Sequence, residues 1–170
     1  MTAFRLILMV CCLPVFGRAQ DTQQLRHAFA AAVGSEAAAA ELCASLEAKK
    51  EKSALEWGYL GGGKALAAKF AVNPFTKLRL VTEANRCFDR ALSLAPQHTE
   101  VHYLRLAMQS QLPSFLGQSD AVDEDKRFLI GSLGSTCRED AVLCNQVTSL
   151  LTEHVSCSPS EKEKIARTVK

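Results

Sequence analysis

The chain has 170 residues, of which 48% are hydrophobic, so it is long and apolar enough for a single domain with a buried core. Its 20 Lys and Arg barely exceed its 18 Asp and Glu, and the densest charged runs mix both signs. Electrostatic binding of nucleic acid requires positive charge clustered on one face. The composition therefore argues against a nucleic-acid partner.

Residues 1–19 have the pattern of a secretory signal peptide, with a basic residue near the start, an apolar run and a small residue at Ala19. The apolar run stops at about half of the roughly 20 residues that a transmembrane helix needs. Cleavage after Ala19 removes Arg5 and Arg18 and leaves a single domain over 20–170 with a formal charge of zero and no membrane span. We expect a periplasmic or secreted protein.

Lipid modification at Cys11 or Cys12 is a competing interpretation of the same segment. It fits less well, because a small residue is preferred just before the modified cysteine and Val10 and Cys11 occupy those places. The sequence leaves open whether the N-terminus is cleaved or retained as an anchor.

Abundant Ala, Leu and Lys, together with the absence of β-branched runs, predict an all-α fold. Turn residues divide the chain into predicted helices over 20–33, 36–50, 53–71, 73–95 and 98–111, a turn over 112–117, a helix around 122–133, another that starts at 136, and a last one over 158–168, which is expected to fray. Caps support four of these starts, namely Ser53 with Glu56, Asn73 with Pro74, Thr136 with Glu139, and Ser158 with Glu161.

Apolar residues in the predicted fourth helix recur at spacings of three and four. They are Phe75, Leu78, Val81, Ala84, Phe88 and Ala91. Such spacing predicts that one face of a long helix is buried.

Two short motifs carry the strongest fold signal. They are Trp57-x2-Leu60-Gly61 and Ala84-x3-Phe88-x2-Ala91-x4-Pro96. Together they resemble the two halves of a tetratricopeptide (TPR) hairpin, in which small residues let antiparallel helices approach and proline ends the second helix. The pair is about three helical turns longer than the pattern, and Lys64 stands where the pattern has an aromatic. The resemblance implies helical hairpins stacked as a short TPR-like superhelix.

A longer stretch also resembles a family of small secreted bacterial proteins with TPR-like folds and no assigned activity. The matching segments are 73–75, Ala91, Pro96, 100–105 and 113–117. This resemblance implies the fold and an envelope location rather than a reaction.

Gly58-x4-Gly63-Lys64 matches most of a phosphate-binding loop. That motif needs a preceding strand and a Ser or Thr after the lysine, whereas here the segment is predicted helical and Ala65 follows. Close helix packing explains these glycines better, although three in succession, Gly61 to Gly63, are expected to weaken or kink the helix.

Five cysteines remain after cleavage: Cys43, Cys87, Cys137, Cys144 and Cys157. An odd number leaves at least one unpaired in an oxidising compartment. Cys137 and Cys144 are seven residues apart, which in a helix corresponds to about 10 Å. A disulfide spans only roughly 4.4 to 6.8 Å between Cα atoms, so we expect neither a disulfide nor a shared zinc ion between these two cysteines. Cys43 and Cys87 are expected in the core, and a single disulfide would involve Cys137 or Cys157.

No nucleophile, base and acid are recognisable together. The four histidines are scattered at positions 27, 98, 102 and 154, and Asp123, Glu124 and Asp125 are assigned to a charged helix face. We therefore expect no catalysis, no cofactor and no metal.

The sequence favours an exported helical-repeat module that binds a peptide or protein partner of unknown identity. The candidate contact residues are Tyr59, Lys64, His102, Tyr103 and Arg105, chosen as polar or amphipathic residues on the recognisable hairpin or its successor. A structural subunit of a cell-envelope assembly, docking through Phe115 and Leu116, is the alternative. An enzyme of unknown class is the least favoured possibility.

Overall fold

The computed structural model describes residues 16–111 and 119–169. Within these ranges the chain forms helices and no strand, which confirms the all-α prediction. The helices are α1 (Phe16–Val33), α2 (Glu36–Glu47), α3 (Ala54–Phe70), α4 (Pro74–Leu94), α5 (Thr99–Gln109), α6 (Ser119–Glu139), α7 (Ala141–Ser149), which continues as a π-helical turn (Leu150–His154), and α8 (Pro159–Thr168). No helix in the described ranges is both long and apolar enough to cross a bilayer.

α3 packs against α1, α2, α4 and α5. Its four glycines account for this arrangement, because a Cβ added at any of them would meet a neighbouring helix at short range. Measured from that Cβ, the nearest atoms are Val101 Cγ2 at 3.1 Å for Gly58, the Ala84 carbonyl oxygen at 3.1 Å for Gly61, Phe29 Cε2 at 2.6 Å for Gly62 and Cys43 Sγ at 2.9 Å for Gly63. The glycines do not interrupt α3, and the predicted close packing is confirmed.

α3 and α4 form the antiparallel hairpin that the two motifs predict. Gly61 lies against the ring of Phe88, which is fully buried, and Trp57 packs at the edge of the same core. Both helices are long, at 17 and 21 residues, which accommodates the extra turns relative to the TPR pattern.

The interior has two apolar clusters. The first is built by α1 to α5 around Phe88 and Leu46, and the second by α5 to α8 around Leu129, Leu133 and Leu151. Helix α5 contributes to both, and Tyr103 contacts both. The C-terminal helices are therefore joined to the α3-centred part through α5.

The predicted apolar stripe on α4 is wrong at its start. Val81, Ala84 and Phe88 are buried, but Phe75 is 83% and Leu78 is 54% exposed. A spacing of three residues is less than one helical turn, so successive residues at that spacing move around the helix. Phe75 and Ala84 are nine positions apart, or about 2.5 turns, and therefore lie on opposite faces. Only the later half of the stripe faces the core.

The predicted helix start at Thr136 is also wrong. Helix α6 continues to Glu139, and the Thr136 hydroxyl donates to the carbonyl of Ser132 in the preceding turn instead of capping a new helix. Asp140 is the true N-cap, because its Oδ1 accepts from the Leu143 amide at 2.9 Å.

This shifted boundary overturns the prediction that Cys137 and Cys144 lie too far apart to pair, whereas the prediction that a disulfide would involve Cys137 or Cys157 is confirmed. Cys137 and Cys144 form a disulfide, with their Cα atoms 4.7 Å apart. The distance of about 10 Å applied to a continuous helix, whereas the chain changes direction at Asp140. Cys43 and Cys87 are buried free thiols as expected, and Cys157 is free and half-buried.

The remaining caps are confirmed. Ser53 and Ser158 form capping boxes with Glu56 and Glu161, and Asn73 caps α4 with proline at the first position. The helix predicted from residue 20 begins earlier, at 16. The rest of the predicted signal peptide, at 1–15, and the predicted turn with Phe115 and Leu116 lie outside the described residues.

We predict that Cys137 and Cys144 are joined in the purified protein. Trypsin cuts after Arg138, so the bond should hold two peptides together until reduction, as read by mass spectrometry. Closing this short loop restricts the unfolded chain, so replacing both cysteines with serine should lower the free energy of unfolding by roughly 2 to 3 kcal/mol. Cys157→Ser is the control and should leave the two peptides linked. Alkylation of Cys137 without reduction would contradict the prediction.

Candidate functional site

Charged side chains meet around α5 in two connected groups, which we call the polar cluster. In the first group, Arg26 of α1 donates through Nε and Nη2 to the two carboxylate oxygens of Glu100 at 2.7 and 2.8 Å. The same Nη2 donates to Asp140 Oδ2 at 2.7 Å, and the Tyr59 hydroxyl donates to Glu100 Oε1 at 2.6 Å. These contacts connect α1, α3, α5 and the start of α7.

In the second group, Arg105 donates to both oxygens of Asp125, each at 2.7 Å. His102 on the same helix places Nδ1 2.6 Å from Asp125 Oδ1 and Nε2 2.8 Å from the Pro96 carbonyl oxygen. Asp125 is fully buried, and the ring of Phe128 stacks on His102 with centroids 3.9 Å apart. These contacts join α5 to α6.

The hydrogen bond to Pro96 assigns one proton of His102. A carbonyl oxygen only accepts, so Nε2 carries a hydrogen directed at Pro96. Arg105 supplies the positive charge beside Asp125, and Glu124, 3.7 Å from Arg105, adds negative charge at the edge of the group.

The first group is held in fixed protonation states. Hydrogen bonding to Glu100 raises the pKa of Arg26, and burial beside Glu100 raises the pKa of Tyr59. Burial alone would raise the pKa of Asp140, but the hydrogen bonds from Arg26 and from the amides of Leu143 and Val142, together with the charge of Arg26, outweigh it and lower that pKa. Because these side chains satisfy one another, the polar cluster holds helices together.

The five contact residues predicted from sequence lie mostly inside the fold. Tyr59, His102 and Arg105 are buried members of the polar cluster, and Tyr103 is half-buried between the two apolar clusters. Lys64 is 16% exposed and lies apart from them, between Glu47 at 2.5 Å and Glu83 at 2.9 Å. Tyr59, His102 and Arg105 therefore contribute to packing in the structure. A binding role for any of the five residues stays a prediction.

A groove of about 860 Å³, which we call the α1–α2 groove, is the main concave feature that we consider. It lies between α1, α2, the first turn of α3 and the junction of α4 with α5. Its apolar side chains are Leu25, Leu42, Leu46, Leu55 and Leu94, and its polar ones include Asp21, Gln24, Ser45, Lys49, Glu56 and His98. Leu42 and Leu46 are buried and form its base, whereas Leu94 is 48% exposed at its side.

His98 gives the α1–α2 groove an unusual polar group. Its Nδ1 is buried and has no hydrogen-bond partner within residues 16–111 and 119–169. Burial lowers the pKa of His98, so the ring is neutral at neutral pH, when its nitrogens offer one donor and one acceptor. An unsatisfied buried nitrogen costs free energy in the folded protein.

Sequence reasoning missed most of the polar cluster. Asp125 was assigned to a charged face, although its spacing from Val122 and Phe128 places it in an apolar stripe, and that signal was available. Arg26, Glu100 and Asp140 come from distant parts of the chain, so no local pattern marks them. His98 was expected at the surface because it follows the turn at Pro96.

No known protein family, characterised protein or solved structure is detectably similar to this chain. In the described part of the chain, no three His, Cys, Asp or Glu side chains converge as metal ligands. Burial raises the pKa of Cys87 to about 11, so this thiol is protonated at neutral pH.

We predict that Asp125→Asn lowers the free energy of unfolding by about 3 to 5 kcal/mol, because it leaves Arg105 buried without its counter-charge. Asp123→Asn is the matched control on the same helix. Asp123 is 66% exposed and pairs only with Lys126 in the described residues, so this change should stay within about 0.5 kcal/mol. Urea unfolding followed by circular dichroism measures both. Equal losses in the two variants would contradict the buried ionic role of Asp125.

Proposed function

We propose that the protein is an exported helical binding module whose α1–α2 groove receives an apolar segment of a peptide or protein partner. The observation that carries this proposal is a groove between helices whose base is formed by the buried side chains of Leu42 and Leu46, with Leu94 exposed at its side. Grooves between helices commonly bind amphipathic helices through their apolar side chains.

The size and lining of the groove support this proposal. Ligand sites usually occupy about 300 to 1,000 Å³ and combine an apolar lining with a few polar groups that fix orientation. The α1–α2 groove, at about 860 Å³, lies in this size range, and half of the residues that line it are apolar. Leu25 and Leu94 offer apolar contact area to a bound segment.

The charges around the groove favour binding over catalysis. Lys49 and Glu56 form an ion pair with each other, and Glu56 also accepts from the Ser53 amide at 2.7 Å. The hydrogen bonds from Lys49 and Ser53 outweigh the effect of burial and lower the pKa of Glu56. A carboxylate held in its charged form at the start of a helix is a weak general base.

Export is part of the proposal and has structural support. Disulfides persist in oxidising compartments and are rare in the cytosol, so the Cys137–Cys144 bond agrees with the signal peptide predicted over 1–19. The α3–α4 hairpin likewise supports a TPR-like scaffold, since such hairpins present grooves between stacked helices.

The proposal predicts a partner that contacts the groove and not the exposed face of α7. A photo-crosslinking amino acid placed at Leu94, in the groove, should trap a discrete product in the cells that make the protein. The same reagent at Val142, which is 54% exposed on α7, should not. Mass spectrometry of the trapped product then identifies the bound segment, which can be synthesised.

Binding of the synthetic peptide should weaken at least about tenfold in Leu94→Arg, because a charge enters an apolar contact, and remain unchanged in Val142→Arg. Equal crosslinking at positions 94 and 142, or a peptide affinity indifferent to Leu94→Arg, would contradict the proposal. Stable co-purification with a membrane complex in spite of Leu94→Arg would favour the structural-subunit alternative.

A further inference from the structure

Three large apolar side chains point into water where α3 turns into α4. Val72 is 97%, Phe75 is 83% and Leu78 is 54% exposed. Together with Pro74 they form a surface that we call the α3–α4 tip. Clustered apolar exposure of this kind marks a contact surface more often than an isolated exposed residue does.

The backbone of the α3–α4 tip is fixed. The Asn73 side chain accepts hydrogen bonds from the amides of Phe75 and Thr76 at 2.8 and 3.4 Å, and Pro74 occupies the first helical position. The apolar side chains are thus presented from a capped helix start, where little conformational entropy remains to be lost on binding.

Positive charge surrounds the α3–α4 tip. No Asp or Glu occurs between Glu56 and Glu83, whereas Lys69, Lys77 and Arg79 lie in this stretch and are exposed. Lys77 makes no ion pair within the described residues, and only Arg79 is paired, with Glu83.

The adjoining turn between α1 and α2 extends this surface. Lys69 donates to the Val33 carbonyl oxygen at 3.2 Å, which brings the end of α1 beside the tip. Val33 is itself 45% exposed. The same turn contributes one carboxylate, Glu36, so positive charge remains in excess.

We propose that the α3–α4 tip docks on an anionic lipid surface. Phe75, Val72 and Leu78 would enter the boundary between headgroups and acyl chains, while Lys69, Lys77 and Arg79 approach the lipid phosphates. A second copy of the chain is a poorer occupant, because its own tip would bring the same positive charges face to face.

This docking leaves the α1–α2 groove free. The groove includes the first turn of α3, whereas the tip follows its last turn, and the 17 residues of α3 separate the two by about 25 Å. A protein held by the tip would therefore direct its groove away from the membrane.

The test must report on the tip itself, because the apolar run near the N-terminus gives the full chain a second route to a membrane. Phe75→Trp supplies a local reporter, and the parent spectrum corrects for Trp57, the only native tryptophan. With vesicles of phosphatidylcholine and phosphatidylglycerol, its emission should shift to the blue and be quenched by brominated acyl chains. Val142→Trp, the matched exposed position on α7, should show neither effect.

The charge requirement is tested in the same reporter background. Removing one cation, in Lys69→Gln or Lys77→Gln, should weaken vesicle binding by about fivefold, as expected for about 1 kcal/mol per charge. Lys162→Gln on α8 is the control and should have no effect.

Unchanged Phe75→Trp emission, or an equal shift with phosphatidylcholine alone, would overturn the proposal. A blue shift that grows with protein concentration and no vesicles would also overturn it, in favour of self-association.

Discussion

The packing of helices around α3 depends on the four glycines of that helix. Consecutive residues of a helix point about 100° apart, so Gly61, Gly62 and Gly63 expose backbone in three directions and Gly58 adds a fourth contact. Each glycine accommodates a different helix, namely α5 at Gly58, α4 at Gly61, α1 at Gly62 and α2 at Gly63. Glycine costs a helix about 1 kcal/mol per residue relative to alanine. α3 is therefore a weak helix alone and is stabilised by the neighbours that it admits.

Helix α5 transmits this arrangement to the rest of the molecule, since it packs on α3 and also carries three members of the polar cluster. Buried ion pairs often add little net stability, but they penalise alternatives in which a charge loses its partner. Glu100 and Asp125 thus fix how α5 sits against α1 and α6. The two candidate binding surfaces lie at opposite ends of α3, and so both depend on the same central packing.

Local sequence patterns predicted the local structure well. The caps at Ser53, Asn73 and Ser158 depend on neighbouring residues and are confirmed, and so is the packing of Gly61 on Phe88. The errors arose where a small change in position alters geometry, as at Asp140, whose cap redirects the chain and brings two cysteines together. The α1–α2 groove and the polar cluster combine residues from distant helices, and a single sequence without a known relative contains no signal for those meetings.

The most direct test of the central claim compares glycines that differ only in their surroundings. Gly61→Ala and Gly63→Ala gain helix propensity but force apart packed helices, so urea unfolding should show each to be less stable by about 1 to 3 kcal/mol. Gly131→Ala, in α6 with no other group within 4 Å, should gain about 0.5 to 1 kcal/mol. Stabilisation of all three variants to the same extent would contradict the account, because it would mean that nothing packs closely on α3.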